Sequence, residues 1–79
     1  MKKDYILHIG DYVPADGNGT NPGKVKAVYG TMIVMDEEIY AEDDETCTVI
    51  GYKETTMSAG YLAHTLGARH VWYNDELLY

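Results

Sequence analysis

The sequence predicts a small α+β domain, mostly antiparallel β, with one short helix near residues 57–66. Two observations lead to this fold class. Residues 23–36, GKVKAVYGTMIVMD, hold the densest block of β-forming apolar residues and predict two strands, Lys24–Tyr29 and Met32–Met35. Their junction, Gly30–Thr31, suits a tight hairpin, because glycine takes a positive φ at little steric cost. Residues 57–66 then change from strand to helical spacing.

Ahead of the hairpin, the pattern predicts a short strand and a surface loop. Tyr5–Ile9 is apolar enough for a first strand, which ends at Gly10–Asp11. Tyr12–Val13 is expected to stay extended as far as Pro14. The segment Pro14–Gly23, PADGNGTNPG, consists almost entirely of turn-forming residues, so we expect it to connect two strands at the surface.

Behind the hairpin, acidic residues interrupt the β pattern. Glu37–Glu42 can extend the second strand as far as Ile39, and Glu42–Glu45 then predicts an acidic turn. Thr46–Tyr52, TCTVIGY, is rich in β-branched residues and predicts a further strand. Gly51 within it suggests a β-bulge.

The helix is predicted from spacing and from its end signals. Four apolar residues recur at helical intervals: Met57, Tyr61, Leu62 and Leu66. Thr56 or Ser58 can cap the first turn, and Gly67 suits the C-terminal cap. Gly60 weakens the helix, because glycine in a helix interior loses more backbone entropy than other residues.

The last segment returns to β character. His70–Tyr73 predicts a strand, Asn74–Asp75 a turn, and Glu76–Tyr79 a final apolar strand or tail. Three large apolar residues close this segment: Leu77, Leu78 and Tyr79. They are expected to pack either in the core or against another copy of the chain.

The pattern Ile9–Val13, IGDYV, followed by a loop and by Gly23–Val28, GKVKAV, resembles the opening of KOW-type and related SH3-like small β-barrels. The resemblance covers about residues 7–36. It implies a small SH3-like barrel or curled sheet. The alternative fold for the whole chain is a flat antiparallel sheet covered by the helix. Proteins of this family often bind nucleic acid or ribosomal components. This chain has a longer first loop and an acidic surface, so only the fold is carried over.

Length and cysteine content bound the class of protein. A chain of 79 residues has enough surface for one hydrophobic core only, so residues 1–79 are expected to form a single domain. The one cysteine, Cys47, excludes an internal disulfide and favours a reducing compartment, the cytoplasm. The apolar run Tyr5–Ile9 is too short for a signal peptide or a membrane span.

Charge is strongly asymmetric along the chain. Residues 1–35 hold four lysines against three acids, whereas residues 36–79 hold two basic residues against ten acids. Seven of those ten acids lie within residues 36–45. Direct nucleic-acid binding requires clustered Lys and Arg that replace counterions on phosphates. We therefore expect no direct nucleic-acid binding, and a basic protein as the partner.

No catalytic, cofactor or metal site is predicted. The loop that starts at Asp16 resembles a calcium loop only faintly, because its sixth and twelfth positions are Asn21 and Ala27 rather than Gly and Glu. Cys47 lies in an apolar β run, where cysteine usually behaves as a small buried hydrophobe. A pair of Cys47 as nucleophile with His64 or His70 as base would also need a third group to orient it, and the sequence suggests none. An enzyme is the least expected class.

The acidic run with its tyrosine is the candidate site. Eight residues are predicted to bind a partner: Asp36, Glu37, Glu38, Tyr40, Glu42, Asp43, Asp44 and Glu45. On a strand, alternate side chains point to opposite faces, so Asp36 and Glu38 are expected on one side and Glu37 on the other. The simplest alternative is a solvated acidic face that keeps a small β protein monomeric.

The leading hypothesis is a non-enzymatic interaction module that binds a basic protein through this acidic run and exposed tyrosines. One alternative is a phage or mobile-element inhibitor, whose carboxylates imitate DNA phosphates and block a host nucleic-acid-binding enzyme. Another is a small structural subunit that self-assembles through the apolar residues at 77–79.

Overall fold

A computed structural model of the chain describes residues 3–15, 21–41 and 48–79. These ranges form seven strands and one helix, in chain order: β1 (Tyr5–Ile6), β2 (Tyr12–Pro14), β3 (Pro22–Tyr29), β4 (Met32–Tyr40), β5 (Val49–Ser58), α1 (Ala59–Leu66), β6 (Val71–Tyr73) and β7 (Glu76–Leu77). The prediction of a mostly antiparallel β fold with one short helix is confirmed. The sheets of the described ranges do not form a closed barrel.

The larger sheet is a four-stranded antiparallel meander in the order β2-β3-β4-β5. Its central hairpin forms where predicted, because Tyr29 pairs with Met32 across a two-residue turn. Gly30 at the first turn position has φ +59° and Thr31 has no positive φ, as in a type II′ turn. Both strands are longer than predicted, and β4 continues to Tyr40.

Two β-bulges interrupt the ladders of this sheet. Val25 pairs with Met35 and Ala27 with Val34, which leaves Lys26 as the extra residue of β3. In β5 the extra residue is Ile50, next to the glycine at which the sequence suggested a bulge. Each bulge bends its strand and increases the local twist.

The second sheet joins the two ends of the described chain, in the order β1-β6-β7. Tyr5 of β1 pairs in parallel with Val71 of β6, and β6 pairs with β7 in an antiparallel hairpin. The predicted turn at Asn74 and Asp75 is confirmed. Both residues have positive φ, 52° and 63°, as a type I′ turn requires.

Other predicted boundaries are wrong as well. β1 ends at Ile6 rather than Ile9, because the chain turns at His8, whose carbonyl accepts from Asp11 N at 3.1 Å. β5 continues past Tyr52 to Ser58, and α1 begins only at Ala59. Met57 fits the helical spacing by coincidence: it is a strand residue opposite Ile33, and only 5 % of the residue's surface is exposed.

The core lies between one face of the larger sheet, α1 and the second sheet. Its members are small or aliphatic side chains: Leu7, Val13, Ala15, Val25, Ile33, Met35, Met57, Ala59, Leu62, Ala63 and Val71. Leu62 and Ala63 bring the helix onto the sheet, and Leu7 and Val71 bring the second sheet against both. The opposite face of the larger sheet is exposed at Tyr12, Tyr29 and Tyr52, and it holds the candidate site.

Candidate functional site

The site is built on the face of the larger sheet that is turned away from the core, called here the outer face. It carries alternate residues of β4 and β5 and their cross-strand neighbours: Tyr12, Lys24, Asp36, Glu38, Tyr40, Tyr52, Glu54 and Thr56. The alternation follows from the core residues Ile33 and Met35 on β4, because successive side chains of a strand point to opposite faces.

Asp36 and Glu54 lie directly opposite each other on β4 and β5, which would place two negative charges side by side. The bulge residue Lys26 relieves this repulsion. Its Nζ lies 2.8 Å from Glu54 Oε1 and 3.0 Å from Asp36 Oδ1. The hydrogen bond to Glu54, and then the one to Asp36, raise the pKa of Lys26. Both carboxylates therefore share one cation.

Glu38 differs from these two acids in its partners. Its Oε1 accepts a hydrogen bond of 2.7 Å from the hydroxyl of Tyr40, and its cross-strand neighbour is Tyr52, whose residue surface is 66 % exposed. Tyr40 is half-buried. The three side chains form a cluster of one carboxylate and two phenol rings at the end of the sheet away from α1. We call it the tyrosine–glutamate cluster.

Glu37 lies on the other face, where neutral donors hold it. Thr55 Oγ1 donates to its Oε1 at 3.1 Å, and Asn21 Nδ2 donates to its Oε2 at 3.1 Å. These bonds tie the start of β3 to β4 and β5. Glu37 therefore serves as a structural anchor between strands, and its carboxylate is directed away from the tyrosine–glutamate cluster.

The eight predicted site residues are thus divided. Asp36, Glu38 and Tyr40 share the outer face, and Glu37 does not. Glu42, Asp43, Asp44 and Glu45 lie outside the described residues, as does Cys47. Sequence reasoning missed Tyr52 and Glu54. The signal that could have found them is the alternation Tyr52, Glu54, Thr56, which continues the strand through polar residues.

The apolar tail folds back onto the described core. Leu78 packs against it, and Val71 N donates to the carbonyl of Tyr79 at 3.2 Å. The ring of Tyr79 lies so close to Gly60 that a Cβ there would sit 2.9 Å from it. Leu77 and Tyr79 nevertheless remain 53 % and 57 % exposed, so both leave surface that another chain could contact.

The described ranges give little support to other types of site. There, no group of three or more His, Cys, Asp or Glu side chains is placed to hold a metal ion. None of the helical residues described forms a segment long and apolar enough to cross a membrane. Comparisons of the chain with protein families, with curated proteins and with solved structures found no match. Function must therefore be inferred from the chain's own surface.

Proposed function

We propose that this protein is a non-enzymatic module of the cytoplasm that binds a basic partner protein through its outer face. The observation that carries the proposal is the tyrosine–glutamate cluster, Glu38, Tyr40 and Tyr52, with Glu54 as the neighbouring acid. It combines an oriented carboxylate with exposed aromatic surface. The formal net charge of −7 favours a partner of opposite sign.

The cluster has the features of a binding site for Lys or Arg side chains. The hydrogen bond from Tyr40 fixes the Glu38 carboxylate, so a cation meets an acceptor that is already oriented. An Arg or Lys that pairs with Glu38 can also lie against the ring of Tyr52, where cation–π attraction adds to the ion pair. Tyrosine contributes much contact area for little loss of rotamer entropy.

The acids that follow β4 in sequence extend the proposed contact centre. Glu42, Asp43, Asp44 and Glu45 come directly after the strand that carries Tyr40. We expect them to add long-range attraction, which speeds the encounter with a basic surface and weakens as salt increases. We also retain the prediction that the fold is related to SH3-like small barrels. That prediction is supported by the resemblance of residues 7–36 to the opening of such barrels and by the bulged antiparallel meander.

The first experiment is a pull-down from cell lysate with an N-terminal tag, which leaves Tyr79 free, washed at low and then moderate salt. Recovery of one basic protein that is released as salt rises supports the proposal. Displacement of that protein by duplex DNA would favour the DNA-mimic alternative. Recovery of mainly untagged copies of the chain would favour self-assembly. No recovery at low salt would leave the outer face as a solvated surface and contradict the proposal.

Charge-reversal variants locate the contact on the recovered partner. Glu38→Lys is expected to raise the Kd roughly tenfold, because it replaces an attraction by a repulsion at the centre of the contact. The double reversal Asp43→Lys with Asp44→Lys should weaken binding and reduce its salt dependence. The control is Glu76→Lys, the same change of charge at an exposed residue of β7. Equal affinities of the Glu38 and Glu76 variants would contradict the assignment to the outer face.

A further inference from the structure

β5 is a ten-residue strand at the edge of the larger sheet. It pairs with β4 along its whole length, and no strand of the described ranges pairs with its other side. Much of it is exposed, including Tyr52 and the Glu54 side chain, of which 64 % is accessible. A long edge of this kind presents backbone N–H and C=O groups that another strand can bind.

The ladder fixes which residues of β5 present those groups. Ala59 N donates to Thr31 O at 2.9 Å. Ala59 and Thr31 continue the ladder between β5 and β4 by one residue pair beyond Ser58 and Met32, in the same register. Residues opposite each other in an antiparallel ladder alternate between hydrogen-bonded and non-hydrogen-bonded pairs. The hydrogen-bonded residues of β5 are therefore the odd-numbered ones, 51 to 57. Its even-numbered residues, Tyr52, Glu54 and Thr56, direct their backbone groups to the free edge.

The same three residues carry their side chains on the outer face. A strand added along β5 would hydrogen-bond to them and place its own alternate side chains beside Tyr52 and Glu54. Directly opposite residues lie close enough for ion pairing. Lys26 balances only one of the two negative charges of Asp36 and Glu54, so Glu54 still favours Lys or Arg at the opposing position. Glu38 and Tyr52 favour a further cation two residues along the added strand.

Pairing of β5 with a second copy of itself is disfavoured. When two copies of β5 pair in the antiparallel direction with their outer faces on the same side of the joined sheet, even-numbered residues lie opposite even-numbered residues, and odd-numbered residues lie opposite odd-numbered ones. The two registers that pair most of the strand then place Lys53 opposite Lys53 or Glu54 opposite Glu54. Like charges directly opposite each other are destabilising. A basic segment of another protein avoids this repulsion.

We propose that the edge of β5 binds an extended basic segment of a partner protein, which adds to the sheet as a fifth strand. This proposal rests on the proposed function and specifies how the partner is held. Its backbone bonds to Tyr52, Glu54 and Thr56, and Lys or Arg side chains at alternate positions face Glu54 and the tyrosine–glutamate cluster.

The test uses a synthetic peptide, TKVKVKT with blocked ends, titrated into the isotope-labelled full chain and followed by NMR. A second peptide of the same sequence has N-methylated lysine amides, which keeps every charge but blocks strand addition. We expect the first peptide to bind and to slow amide exchange at Tyr52, Glu54 and Thr56 roughly tenfold, with little change at Lys53 and Thr55. The methylated peptide should bind much more weakly.

A protein variant provides an independent check. Thr56→Pro removes an outward N–H and leaves the ladder to β4 intact, because proline is tolerated on edge strands where its nitrogen faces solvent. We expect it to bind the first peptide roughly tenfold more weakly than Thr56→Val, which keeps that N–H.

Two results would overturn the proposal and would leave the proposed function standing. In one, both peptides bind equally and the amides of Tyr52, Glu54 and Thr56 stay unprotected, so that recognition uses side chains alone. In the other, neither peptide binds although the pull-down partner does. If the pull-down recovers no basic partner protein, that result would instead contradict the proposed function.

Discussion

Gly23 occupies a position in the larger sheet that has no room for a side chain. It pairs with Val13 on β2 and with Glu37 on β4. A Cβ at this residue would lie 2.7 Å from Met35 Sδ and 2.9 Å from Ala15 Cβ. The sequence places Gly23 at the end of a loop rich in turn formers, and nothing in that pattern indicates close packing against a methionine.

Gly23→Ala is expected to destabilise the protein by about 1–3 kcal/mol, because overpacking forces neighbouring side chains and backbone to move. The matched control is Gly51→Ala on β5, where a Cβ meets nothing within 4 Å. Urea unfolding monitored by the fluorescence of Trp72 gives both free energies of unfolding. Equal stability of the two variants would mean that Met35 moves away without cost.

The neighbours Glu37 and Glu38 show that the sequence predicts the face of a strand side chain but not its bonding partners. Strand alternation predicts that they lie on opposite faces. It cannot predict that Asn21 and Thr55 hold Glu37, because both donors are brought to it by non-local strand pairing. Nor can it predict that a bulge directs Lys26 to Asp36, because the extra residue depends on the register of two strands.

At the scale of elements, β5 passes into α1 without a loop. Ser58 is the last residue of the strand, with φ −73° and ψ 151°, and its Oγ accepts from Tyr61 N at 3.1 Å. This bond satisfies one of the amides that a helix leaves free at its first turn. The helix ends at Gly67, whose φ of 69° suits glycine.

Ser58→Ala is expected to lower the free energy of unfolding by about 1 kcal/mol through loss of this cap. Ser58→Asp should retain stability, because its carboxylate can accept the same bond and carries a charge that suits the helix N-terminus. Thermal unfolding followed by circular dichroism distinguishes them. If Ser58→Ala is as stable as the wild type, then the packing of α1 alone positions the helix.

The elements that the sequence predicts well are those with strong local signals. The hairpin at Gly30 and the turn at Asn74 are of this kind. The end of β5 is not, because the polar residues that follow Tyr52 resemble a loop until their position at a sheet edge is known. β1 and β7 contain two residues each, and their pairing with β6 depends on contacts between distant parts of the chain.

At the scale of the whole molecule, Asp11 connects the two sheets. Its Oδ2 accepts from the hydroxyl of Tyr5 and from the backbone N–H of His8, each at 2.9 Å, and its carbonyl accepts from Val25 N at 2.8 Å. Burial first, and then the hydrogen bond and negative charge of Asp11, raise the pKa of Tyr5 to about 12.

This shift makes stability depend on pH in the alkaline range. An unfolded tyrosine loses its proton near its ordinary pKa of 10.0, whereas folded Tyr5 keeps it until about 12. The folded state therefore binds more protons in this interval, and the free energy of unfolding falls as pH rises from about 10 to about 12. The stabilisation is fully present below pH 10.

The absorbance of phenolate during titration, with Tyr5→Phe subtracted as a reference, measures this pKa directly. Asp11→Asn should lower it, because the variant keeps an acceptor oxygen but loses the negative charge. A Tyr5 that ionises near pH 10 in the folded wild type would contradict the geometry between Tyr5 and Asp11.

The parallel pair of β1 and β6 also determines the order in which the fold can be completed. The meander from β2 to β5 pairs only sequence neighbours, so it can assemble early, while Tyr5 must wait for Val71 to be synthesised. Until then Leu7, Ile33 and Met35 lack the cover of the helix and the second sheet. A nascent chain on the ribosome would therefore present an uncovered sheet face to chaperones until Val71 has emerged.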